Sequence, residues 1–422
     1  MPDPTRSTIE TRFPRLEEEF AAICDCGGRL AGTASAAAAV ELLVRLGEAA
    51  TGVTARREVV PYAGWRGRGA RIVLARGEAI ACHPLVRTVA TPAEGIEAEV
   101  VDLGRGTPEE FDAHASEIAE RIVLVRHELM FNAGTIHRRV KYERALAAGA
   151  VGFLIAGPLE GSLVAGSSGR SGEAGIPAVG ISPETADRLS PSADGFPSVR
   201  LVVETDEAPA EAQNLFFDIP GQEDGWVILS AHIDGHDLAE SAMDNASGLA
   251  VALSVAAEIA RSGERPRHGL RLAFFNVEEW ALLGSKSHVE TLSHSEREQI
   301  ALDVNIDSVG FSRRLTALTS GFAGLEPFLL KRAEECGVPL RLFRPLQTNS
   351  DHANFAAAGI PAFRLVAGFG EPASAGRLIL TAGDTRDTVD AGSLRDAARL
   401  TLAIVTGALA ADLGERTAWR GS

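Results

Sequence analysis

The sequence predicts an α/β fold, a mostly parallel mixed sheet flanked by helices and carrying a small β-rich insert. Three observations lead there. From residue 212 onward, apolar strand-like runs alternate with helical stripes, a pattern that places helices on both faces of a largely parallel sheet. "LRLAFFNVEEW" is continuously apolar before its acidic end, as expected for a strand covered on both faces. Between residues 68 and 204 the texture changes to short strands bounded by glycine and charge. The predicted division is therefore a main domain from residues 1–67 and 205–422, with residues 68–204 inserted.

The elements follow in order. Residues near 14 to 50 read as helices; "TASAAAAVELLVRLGEAATG" has a Thr/Ser start, an apolar stripe and a closing Gly52. "TARREVVPYAGW" reads as a strand leaving them. In the insert, "GARIVLARGEAIACHPL", "EAEVVDLGRG" and "RIVLVRHELM" read as strands. "HRRVKYERALAAGAVGFLIAG" is a helix passing into a strand through Gly149. "SSGRSGEAG" is a loop before the short strand "GIPAVGIS". "WVILSAHID" then opens the second half. A helix ended by Gly263 follows, then the strands "LRLAFFNVEEW" and "ALDVNIDSVG". The helix "GLEPFLLKRAEECG" comes next, then "SDHANFAAAG", a short helix with Ser350 as N-cap and Gly359 beyond its end. "IPAFRLVAG" is the last predicted strand and "SLRDAARLTLAIVTGALAADL" the terminal helix.

Composition limits the function. The net charge of −16 argues against a nucleic-acid partner. No run of 18 apolar residues occurs, so no membrane partner is expected. The start, "MPDPTRSTIETRFPRLEEEF", lacks an apolar leader, and the expected location is cytoplasmic. Cys24, Cys26, Cys82 and Cys336 form no disulfide framework and read as inert thiols. A homo-oligomer is left open.

The chemistry gathers at strand ends, where open α/β sheets hold their ligands. His232 and Asp234 end "WVILSAHID", Glu278 and Glu279 end "LAFFNV", and Asp307 ends "DVNI". Asp244 precedes a helix, where a lone Asp is usually an N-cap. Three strands deliver acid or imidazole to one edge. Such carboxylates repel each other unless cations lie between them. Imidazole plus carboxylate without thiolate suits zinc, or less often manganese or cobalt.

"HIDGHDLAESAMDNASG", "FFNVEEWALLGS", "NIDSVG" and "SDHANFAAAGIPA" resemble the successive motifs of the co-catalytic zinc exopeptidases. That family includes the bacterial leucyl aminopeptidases, carboxypeptidase Q and glutamate carboxypeptidase II. "RIVLVRH…KYERALAAGAVGFLIAG…GIPAVGIS" resembles a protease-associated domain. The resemblance implies two Zn2+ ions. His232 and Asp307 would bind the first, Glu279 the second, and Asp244 would bridge them. Glu278 and Asp234 are the candidate catalytic residues. Glu278 would be the general base toward a metal-bound water, and Asp234 would orient the His232 imidazole. Adjacent Glu278 and Glu279 point apart if their segment stays extended.

One departure stands out. The family's last ligand is a His before an Asp-Thr pair, and here the segment reads "RLILTAGDTRDTVDAGSLRDAA". Pairing on Asp384-Thr385 puts Leu380 at the ligand position; pairing on Asp387-Thr388 puts Gly383 there. Three explanations stay open. Another His fills the place, with His352 the tentative choice and His236 the alternative. The second metal is held weakly. Or catalysis is lost and the fold binds something. His83, His127, His137, His268, His288 and His294 read as surface residues, and His114 lies in a charged helix.

The expectation is a metal-dependent exopeptidase acting on a peptide or small amide, with aminopeptidase first. Dipeptidase or carboxypeptidase activity, a small-molecule amidohydrolase and a non-catalytic binding protein are the alternatives. The His232-to-Asp244 spacing, with Asp237 between, is most similar to the carboxypeptidase Q branch.

Overall fold

The computed structural model describes residues 12–191 and 195–421. Residues 1–11 of the N-terminal stretch read above lie outside them. Two helices, Leu16–Cys24 and Ala34–Thr51, open the described chain. Thr33 caps the second by accepting the Ala36 N–H, and Gly52 closes it at φ 70°. Fourteen strands follow: β1 (Arg56–Leu74), β2 (Ala79–Ala81), β3 (His83–Pro84), β4 (Ile96–Asp102), β5 (Ile122–Arg126), β6 (Gly152–Ala156), β7 (Ala178–Ile181), β8 (Ser198–Ile219), β9 (Trp226–His232), β10 (Gly269–Phe275), β11 (Ile300–Ile306), β12 (Leu315–Leu318), β13 (Leu340–Phe343) and β14 (Ala362–Ala367).

The main sheet runs β13-β12-β14-β11-β9-β10-β8. Its centre, β14, β11, β9 and β10, is parallel, while β8 pairs antiparallel with β10 and β12 antiparallel with β14. This is the mixed, mostly parallel sheet that the alternation predicts. The insert contributes the parallel run β4-β5-β6-β7. It has no separate connection. The antiparallel pair β1 and β8 extends from one half into the other, in register from Arg56↔Phe216 to Leu74↔Val199. The break expected near residue 68 is only a register irregularity between Gly67 and Gly69 in a continuous strand.

The main core lies around the helix Ser247–Arg261, whose first ten residues are all buried beneath the sheet. A second apolar cluster crosses between the two halves. Phe131 and Tyr142 of the insert share it with Met243, Leu318, Val366, Phe369 and Leu380. That packing seats the insert over the carboxyl ends of β9, β10 and β11.

Several local expectations change. The helix His352–Ala357 has no side-chain cap, because the Ser350 hydroxyl donates instead to Asn305 Oδ1 at 2.8 Å. Gly359 does adopt a positive φ of 75°. The helix Ala391–Ala410 is followed by another, Leu413–Trp419. The short strands β12 and β13 were not read from the sequence. His268 and His288 are buried, and His288 pairs with Glu58 at 3.0 Å. The four cysteines are free thiols. No helix among the described residues is long and apolar enough to cross a membrane.

Candidate metal centre

Three adjacent parallel strands, β11, β9 and β10, deliver the predicted groups to one edge. His232 is the last residue of β9. Its Nδ1 is 2.9 Å from the Asp234 carbonyl oxygen. That contact aims Nε2 at Asp244 Oδ1, 3.0 Å away, and at Asp307 Oδ1, 3.5 Å away. His232, Asp244 and Asp307 are buried, and each offers one ligand atom within 4.8 Å of the others.

Asp244 is free for this role because it is not a helix cap. It lies in the turn Ala242–Ala246 with extended-type dihedrals. Asn245 caps instead: its Oδ1 accepts the Gly248 and Ser308 N–H groups, and its Nδ2 donates to the Ile306 carbonyl. A Cβ on Gly248 would come within 2.3 Å of Asn245 Oδ1 and the Ile306 carbonyl, so only glycine allows this approach. One amide side chain thereby ties the ligand turn to the end of β11, where Asp307 projects.

Asp234 works differently from the expectation. Its carbonyl orients the imidazole, while its carboxylate is 3.9 Å from Nδ1. The carboxylate instead accepts the N–H groups of Glu278 and Glu279, at 2.9 and 3.1 Å. The Glu278–Glu279 segment is therefore a turn and not extended: Leu282 N–H donates to the Glu278 carbonyl, and Val277 has a positive φ of 52°. Both Glu side chains line one cavity of about 410 Å³ with Asp244 and Asp307.

The electrostatics fit a cation. Burial and repulsion from Asp244 and Asp234 push Glu279 up to about 7. Burial likewise pushes Asp351 to about 7. Burial drives Glu278 well above the ordinary carboxylate range, against the pull of His232 and with a further push from Glu279. A cation at the triad relieves this crowding, and one imidazole with two carboxylates suits zinc.

The tentative fifth ligand, His352, stands apart from this cluster. His352 is fully buried, with no hydrogen-bond partner for either ring nitrogen, and it does not join the triad. Burial and the Arg364 charge lower its pKa to about 3, so a positive charge already stands beside it. His236 faces away, with Nε2 3.6 Å from Asp384 Oδ2. Leu380 is buried against Phe131, Met243 and Phe369 at φ 67° and offers no donor. Glu279 lies outside the triad.

Two arginines were missed. Arg364 Nη2 pairs with Asp307 Oδ2 at 3.1 Å and donates to the Ser308 hydroxyl oxygen, Nη1 donates to the Asn349 carbonyl, and the guanidinium lies 4.9 Å from the Phe131 ring centre. A lone charge in the apolar run "IPAFRLVAG" is the signal that marks it. Arg138, from the insert, lines the same cavity.

Residues 214–405 match the profile described as Peptidase family M28, and residues 83–189 match the PA domain. Over residues 214–405, a little under half of the chain, the sequence is similar to peptidase family M28. Leupeptin-inactivating enzyme 1 of Streptomyces exfoliatus is 31% identical over 160 residues, covering 38% of this chain and 36% of that protein. The probable lipoprotein aminopeptidase LpqL of Mycobacterium tuberculosis is 25% identical over 342 residues, covering 76% and 66%. The chain thus spans between about a third and two thirds of the length of such curated relatives. The structure of BSAP, a zinc aminopeptidase from Bacillus subtilis, superposes with a TM-score of 0.73 at 22% identity, covering 94% of each chain. At that identity the likeness establishes the shared fold. Across the sheet edge the strands present Asp307 after β11, His232 at the end of β9 and Glu278-Glu279 after β10, with Asp244 in the turn that follows β9.

Proposed function

We propose that this chain is a zinc-dependent exopeptidase of the M28 type that hydrolyses a peptide or amide bond, with aminopeptidase activity the first choice. The observation that carries it is the buried triad of His232, Asp244 and Asp307 beside the unligated Glu278 in a cavity of substrate size. The names of similar proteins, among them a probable lipoprotein aminopeptidase and a zinc aminopeptidase, support the choice.

The triad would hold one zinc, which when bound polarises a carbonyl and acidifies a water. Asp234 fixes the turn that aims Glu278 into the cavity. Glu278, held above the ordinary carboxylate range by burial, takes a proton from water and returns it to the departing amine. The water oxygen ends on the acyl carbon and the C–N bond breaks. Arg364 keeps Asp307 ionised: burial alone would raise its carboxyl, but the guanidinium and His232 hold it low.

The test is chelation and restoration of the purified chain against aminoacyl amides and dipeptides. Activity should vanish with zinc and return with it. A zinc-loaded chain inert to every amide would favour the binding-protein alternative.

A further inference from the structure

Arg138 opens the insert helix Arg138–Ala147, and its side chain is buried. Its Nε donates to the Ser167 carbonyl at 2.5 Å. The guanidinium lies against Gly166, where a Cβ would come 2.5 Å from Nη2, 2.7 Å from Cζ and 2.9 Å from Nη1. Gly166 has a φ of 101°, so both the space and the backbone require glycine there. Nη1 has no hydrogen-bond partner. Arg138 lines the cavity that Asp244, Glu278, Glu279 and Leu380 also line.

The position of Arg138 is coupled to the missing ligand. The Leu380 carbonyl accepts the Ala165 N–H at 2.7 Å, and Thr381 bridges to Val164. The strip that cradles Arg138 is thus bonded to the loop that carries Leu380. A second cation between Asp244 and Glu279 would have no imidazole and would face a fixed guanidinium. Like charges so placed repel.

We infer that Arg138 supplies the second positive charge of this site in place of a second metal ion, and that its free Nη1–H donates to the carbonyl oxygen of the scissile amide. A buried guanidinium N–H without an acceptor is costly, and a carbonyl oxygen gaining negative charge is the acceptor that this cavity would receive. Arg138 is then a catalytic residue contributed by the insert. The inference rests on the reading that the triad holds one zinc.

The experiment titrates the metal-stripped full chain with zinc by calorimetry, and compares wild type with Arg138→Ala and Arg138→Gln on a leucyl amide. Wild type should bind one tight equivalent, and both variants should keep it. Their kcat should fall about 100-fold, as for loss of one donor to a developing oxyanion. Added guanidinium ion should restore part of the Arg138→Ala rate. The Gln variant preserves most of the side-chain volume should the Ala variant fail to fold. Two tight equivalents in wild type, or wild-type kcat in a folded variant, would overturn the inference. A wild type that holds one equivalent yet cleaves no amide would overturn the hydrolase reading, and the carbonyl contact with it.

Discussion

Asp234 and Glu278 are bound through the backbone: the Asp234 carboxylate accepts the Glu278 N–H at 2.9 Å and the neighbouring Glu279 N–H at 3.1 Å. One buried side chain thus sets the position of the proposed base, while the carbonyl of the same residue orients the His232 imidazole.

Asp234→Asn tests that bond. An amide offers one acceptor where the carboxylate offers two, so one N–H of the turn is left facing a donor. Activity should drop about 10- to 100-fold, with a lowered Tm. The kcat/KM ratio and a thermal melt check it. Wild-type kcat/KM would show that the turn holds its own position.

His352→Ala should leave the zinc content unchanged, because the ring lies outside the ligand triad and beside Arg364. The truncation should still cost about 1–3 kcal/mol of stability, as for many buried sites. Metal analysis of the dialysed variant decides. Lost zinc would return His352 to the ligand set.

Asp102 gives a pH signature away from the metal. Burial pushes its carboxyl up, but Arg126, the Ser190 hydroxyl and the Gly104 N–H outweigh burial and hold it below the ordinary range. A depressed carboxyl stabilises the fold above its unfolded value and loses that contribution as pH falls through the folded value. Asp102→Asn should therefore flatten the fall of Tm below about pH 4. An unchanged slope in a melt series would contradict it.

The thiols should divide by burial. Burial pushes Cys24 and Cys82 up to about 12. Neither should be alkylated by iodoacetamide in the native protein at about pH 8, whereas all four cysteines should react after unfolding. Mass mapping of the label reads this directly, and native labelling of Cys82 would contradict it.

The strand ends were legible because continuous apolar runs stop abruptly at acid or imidazole, and His232, Asp244, Glu278, Glu279 and Asp307 each mark such a stop or the loop beyond it. The insert was legible from its change of texture. The continuity of β1 and β8 was not, since glycine and charge at 64–69 look like a boundary when only one strand is read. The arrangement around Asp244 was also hidden: nothing local says that Asn245, and not Asp244, caps the helix. Arg138 and Arg364 escaped because their partners lie far away in sequence. A weak signal existed for Arg138, because two arginines at a helix start oppose the helix dipole and need a reason. The surroundings of His352, buried and beside Arg364, were likewise hidden, since sequence spacing does not reveal them.

The most direct test of the account is Glu278→Gln, assayed for hydrolysis and zinc content in the same sample. The triad does not include Glu278, so zinc should remain at the wild-type level. Loss of the proton carrier should lower kcat about 1000-fold. Hydrolysis at the wild-type rate by the zinc-loaded variant would contradict the central claim.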